Sequence, residues 1–102
     1  MLKLLSKCSR WHCDGTFEST PPLFYQVYII HGFYNEKMFH VVYVLLTGKK
    51  TQLYKQMLVD IKDKSFEVNL RMNPLQIFID FENAAISSFE YHFPNASIKG
   101  MI

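Results

Sequence analysis

Cysteine is scarce in this chain of 102 residues: Cys8 and Cys13 are the two, and no secretion signal accompanies them. That excludes a disulfide framework as the source of stability. Long hydrophobic runs are missing too. The longest, Phe39 to Leu46, contains His40 and has the length of a strand, far short of a membrane-spanning helix. The start offers Leu2, Leu4 and Leu5 interrupted by Lys3, too short for the core of a signal peptide, so a reducing, intracellular setting is the expectation. A strong charge of either sign is also lacking. A net charge of +2 does not argue for nucleic-acid binding by itself, because phosphate tracking shows as a clustered basic face. Lys49-Lys50, Lys62-Asp63-Lys64 and the group Lys3, Lys7 and Arg10 read as solvated surface charge. What is present is apolar substance: 49% apolar and 16% aromatic residues, which describe one ordered domain with a real core.

The chain reads as an α/β protein. Residues 1–10 form a lead-in that no pattern assigns. Trp11 to Glu18 reads as a strand stopped by Ser19-Thr20-Pro21-Pro22; Tyr25 to Gly32 is a second, and Met38 to Leu46 a third after a turn at residues 33–37. Three strands this close in sequence pair as an antiparallel meander. After Gly48 the period changes to that of a helix, with Leu53, Tyr54, Met57, Leu58 and Ile61 on one face and Thr51 as the expected N-cap. Ser65 to Met72 alternates like a short strand and fits an irregular connection equally, until Asn73-Pro74 breaks it. Leu75 to Ile79 is apolar without alternation, as for a central strand covered on both faces. A helix follows with Ala85, Ile86, Phe89 and Phe93 as its buried stripe, and Ala96 to Ile102 begins a last strand.

Two acids stand out against this background. Asp is depleted in strands, yet Asp14 lies among strand-type residues and Asp80 ends an apolar run. If the strand of Asp80 pairs parallel to that of Asp14 through a helical crossover, the two carboxylates come to within about 4–8 Å and can share a cation. The bland alternatives are a turn residue for Asp14, before Gly15, and a helix-dipole acid for Asp80. Glu82 is better suited to a supporting role than to metal binding. Cys8, His12, Cys13 and His31 do not have the spacing of a zinc site.

At these residues the chain resembles the catalytic domain of Mutator-like element (MULE-type) transposases, of the ribonuclease-H-like, Asp-Asp-Glu superfamily. The resemblance runs from about Trp11 to Gly100. It rests on Asp14-Gly15-Thr16-Phe17, Pro22-Leu23-Phe24-Tyr25-Gln26, the strand to His31-Gly32, Val42 to Leu46 with Lys50-Thr51 and Tyr54, Asp80-Phe81-Glu82 with Ala85, and Phe93-Pro94-Asn95-Ala96 before Gly100. It implies a ribonuclease-H-like mixed sheet, here truncated, with residues 11–102 as the N-terminal part of the domain. The first and second catalytic and metal-binding acids map to Asp14 and Asp80, with Mg²⁺ or Mn²⁺ as cofactor. The implied partner is DNA, at transposon terminal inverted repeats, and the implied location nuclear.

Two departures matter: Met101-Ile102 stands where the family has a Cys and a nearby His, and the third acid, a Glu much further along, has no position here. The expected function is that of a fragment of a transposase domain, inactive alone. A host-retained or decayed DNA- or protein-binding module is the alternative, and a separate ribonuclease-H-like nuclease a third. Tyr91, Phe93 and Ile98 are expected to lie uncovered and to favour self-association.

Overall fold

The computed structural model describes residues 2–16, 24, 26–48, 50–80 and 82–101. Its elements are α1 (Leu2–Lys7), β1 (Arg10–Thr16), β2 (Gln26–Tyr34), β3 (Lys37–Leu46), α2 (Thr51–Glu67), β4 (Gln76–Asp80), α3 (Asn83–His92) and β5 (Ser97–Met101). The expected strand residues Glu18 and Tyr25, and the Ser19-Thr20-Pro21-Pro22 stop, lie outside the described residues.

The strands form one five-stranded sheet in the order β3-β2-β1-β4-β5. β1, β2 and β3 pair antiparallel, while β4 pairs parallel to β1 on one side and to β5 on the other. The architecture is therefore α/β with a mixed sheet, and the expected parallel pairing of the fourth strand with the first is present. The β2–β3 hairpin extends to a two-residue turn at Asn35 and Glu36, whose φ values of 52° and 64° are those of a type I′ turn. Expected ends at Gly32 and Met38 fall short of it.

The three helices meet one face of the sheet. From β1 and β2 this face presents Trp11, Cys13, Gln26, Tyr28 and Ile30, to which β4 adds Ile77 and Ile79, all buried. Trp11 packs edge-on to Phe93 with ring centroids 5.2 Å apart, and Tyr28 packs on Tyr54 at 5.3 Å. Gln26 Nε2 donates to the Tyr54 hydroxyl and to the Gly48 carbonyl, both at 2.9 Å. On the same face, a Cβ at Gly32 would meet the Cys8 sulfur and the Leu5 side chain, so α1 lies where only glycine leaves room.

Four expectations change. Thr51 is the first residue of α2, not its cap: Lys50 is the N-cap, in extended conformation and with no side-chain cap bond. Ser65 to Glu67 continues the helix, which closes in a Schellman motif. Leu70 N–H donates to Ser65 O at 2.8 Å, Asn69 N–H donates to Phe66 O at 3.1 Å, and Asn69 takes φ 60°. Phe66 and Val68 are exposed, and of the four alternating residues only Met72 reaches the core, so the alternation marks no strand face. β4 is buried on one face only: Ile77 and Ile79 are covered, Phe78 is half-buried, and Gln76 and Asp80 are exposed. Finally, Phe93 is buried against Trp11 and Ile98 is half-buried, leaving Tyr91 as the exposed member of that trio.

Candidate metal centre

The second face of the sheet carries the polar chemistry. Register fixes its membership, because paired residues in adjacent strands point the same way and alternate along each strand. In β1 these are Arg10, His12 and Asp14, opposite Phe33, His31 and Ile29 of β2. In the parallel ladder Arg10 pairs with Gln76, His12 with Phe78, and Cys13 with Ile79. The next residue on each strand is an acid, so Asp14 and Asp80 stand side by side on the open face.

Neither bland reading fits this placement. Asp14 lies inside β1, not in a turn, and Asp80 closes β4 three residues before α3 begins at Asn83. Glu82 is the N-cap residue of α3; its backbone carbonyl accepts from Ile86 N–H at 3.0 Å, and its side chain makes no cap bond. Phe17 and Phe81, which flank the two acids in the motifs, lie outside the described residues.

Gly15 owes its identity to packing. A Cβ there would collide with the side-chain oxygen of Gln26, which crosses over the glycine on its way to Tyr54. The Asp-Gly pair thus serves both faces, with the acid outward and the glycine making room inward.

His31 Nε2 lies 3.4 Å from Asp14 Oδ1 and leaves that carboxylate 44% exposed. The Asp80 carboxyl is pushed above the usual carboxylate range, first by partial loss of water and then by the negative charge of Asp14, while His31 pulls it back. Cys13, beneath the pair, is fully buried, and burial followed by the charges of Asp14 and Asp80 holds its thiol well above the ordinary range. Two carboxylates that repel each other at a half-open surface are a donor set that a hard divalent cation relieves, so Asp14 and Asp80 suit Mg²⁺ or Mn²⁺. Among the described residues, no group of three or more His, Cys, Asp or Glu side chains is arranged to hold a metal. The set Cys8, His12, Cys13 and His31 is split by the sheet: the two buried cysteines face the helices and the two histidines the open side.

A family model for the MULE transposase domain matches residues 10–100, from the first residue of β1 almost to the end of β5. The chain belongs to the MULE transposase domain family. No curated protein matches it. In this MULE domain the matched stretch contains Asp14 and Asp80 and spans the sheet from β1 to Gly100 in β5.

The residues around the acids were less legible. Arg10 is half-buried rather than freely solvated. Its guanidinium lies 4.5 Å from the Phe33 ring centroid and 4.8 Å from that of Phe78, and its Nε donates to His12 Nε2 at 3.0 Å. His12 stacks on Phe78 at 4.8 Å. Pairing of His12 with His31 is the signal that reveals this cluster, and it requires the hairpin register to be known.

Proposed function

We propose that Asp14 and Asp80 are the first two acids of a divalent metal site that serves DNA cleavage and strand transfer in a ribonuclease-H-like transposase domain. The observation that carries this reading is their adjacency on the open face, one residue past the Cys13–Ile79 pair of two parallel strands. A bound Mg²⁺ or Mn²⁺ supplies activation of the attacking oxygen and charge neutralisation at a phosphodiester. The chain's own part is to hold the carboxylates on rigid strands, with His31 against Asp14 limiting its rotation. The open face leaves a DNA backbone room to approach, and the substrate proposed is the terminal inverted repeat of a transposon, which places the reaction in the nucleus.

The described residues supply a pair of acids rather than a triad. A third carboxylate from further along the family's domain completes the site, and the 102-residue chain acts as an N-terminal portion that is inactive alone. The test is incubation with Mn²⁺ and a labelled inverted-repeat duplex. The chain leaves the duplex intact; a chain extended through the third acid nicks it, and Asp14→Asn or Asp80→Asn in that longer chain abolishes nicking. Metal-dependent nicking that survives both substitutions would overturn the assignment, and a metal-indifferent chain that still binds DNA would favour a non-catalytic module.

A further inference from the structure

The strongest unassigned feature is the cluster built on Arg10, four residues before Asp14 on the same strand and the same face, which separates them by about 13 Å along β1. Phe33 and Phe78 contact the guanidinium from neighbouring strands at 4.5 and 4.8 Å, and the bond from Nε to His12 Nε2 fixes its remaining rotation. Among the described residues Arg10 has no carboxylate partner; the ion pair present is His31 with Asp14. An arginine held this way has already lost its rotamer freedom, and its terminal nitrogens keep their donors for an outside acceptor. Lys99 belongs to the same row, since it pairs with Phe78 across the β4–β5 ladder and shares its face.

We propose that Arg10 is a phosphate-anchoring residue: it grips the backbone of the bound DNA strand at a phosphate displaced along β1 from the one facing Asp14 and Asp80, with Lys99 as a weaker companion. The assignment rests on the DNA reading above. It follows from charge complementarity. The open face has its two acids toward the carboxyl ends of β1 and β4 and Arg10 at the amino end of β1, so a polyanion lying along β1 meets attraction at Arg10 and needs a cation only at the acids. The guanidinium fork suits bidentate contact to a phosphate, and the two rings hold it in place without neutralising it. Arg10 therefore sets the register of the strand and does not touch the reacting atoms.

The test measures binding of a short fluorescein-labelled DNA duplex of arbitrary sequence to the full chain in EDTA, as a function of salt, so that the metal reading does not enter. Each phosphate neutralised contributes about 0.9 to the slope of log affinity against log salt. Arg10→Gln lowers the magnitude of that slope by about 1 and weakens binding about threefold to tenfold. Arg10→Lys keeps the charge and hence the slope, but loses the fork and the stacking, so its affinity falls at unchanged slope. Lys99→Gln shows a smaller change in the same direction, and Lys64→Gln, on α2 at the other face, shows none. Melting temperatures accompany each variant, and if Arg10→Gln fails to fold, the Arg10→Lys comparison decides. Wild-type affinity and slope in Arg10→Gln, an equal loss in Lys64→Gln, or absence of salt-dependent binding by the wild type would each overturn the proposal. Mn²⁺ titration of Asp14→Asn and Asp80→Asn reads the underlying metal assignment separately.

Discussion

The two faces of this sheet are made by the same strands and obey opposite rules. On the helix-covered face every inward residue of β1 and β4 is apolar or small: Trp11, Cys13 and Gly15 on one strand, Ile77 and Ile79 on the other. On the open face the same strands carry Arg10, His12 and Asp14, and Gln76, Phe78 and Asp80. The covered face supplies stability through close packing, and the open face spends some of it by placing two like charges together. Chemistry and stability are separated by the period of a strand, two residues, so one substitution tests one of them at a time.

The sharpest contrast comes from large-to-small changes on the two faces. Trp11→Ala empties the centre of the covered face and should cost about 3–5 kcal/mol, a large part of the stability of a domain this size. Tyr43→Ala, at a side chain 55% exposed on the open face, should stay within about 1 kcal/mol. Urea denaturation of the two variants measures both, and similar losses would erase the distinction between the faces. The next effect is at Gly15. Gly15→Ala should cost about 1–3 kcal/mol by displacing the Gln26 amide from Tyr54 and Gly48. In the background of Gln26→Ala the same substitution should cost much less, a coupling that a double-mutant cycle reads directly.

A subtler effect lies in the pH dependence. Because the Asp80 carboxyl is raised in the folded chain, its protonated form is the favoured one, and its contribution is present below the ordinary carboxylate pKa. That contribution is lost as pH rises from the ordinary value through the raised one. Asp80→Asn should flatten stability against pH in this window, as followed by melting temperature in metal-free buffer. An unchanged slope would mean that Asp14 and burial do not act on Asp80 as described. The smallest expected effect is at Lys50, which caps α2 without a side-chain bond. Lys50→Ser should raise stability by about 0.5–1 kcal/mol and leave the open face untouched.

How much of this was readable beforehand follows from which interactions decide each element. The strands and both long helices announce themselves by local period, and the order of elements was enough to pair β4 with β1. α1 did not, because a six-residue helix owes its existence to Leu5 and Cys8 docking over Gly32, a contact remote in sequence. The end of α2 was obscured by Phe66, Val68, Leu70 and Met72, whose alternation mimics a strand although the first two lie in solvent. The two acids were visible from their setting in the motifs. The Arg10 cluster was not, since its membership depends on the register of β1 against both β2 and β4, and a slip of one residue in either ladder moves side chains to the other face.

The central claim is that Asp14 and Asp80 together hold one divalent cation on the open face, and calorimetric titration of Mn²⁺ into the wild type, Asp14→Asn, Asp80→Asn and the double variant tests it most directly. The account predicts weak binding by the wild type, loss in either single variant and no further loss in the double, because both carboxylates serve one ion. Equal binding by all four proteins would contradict it.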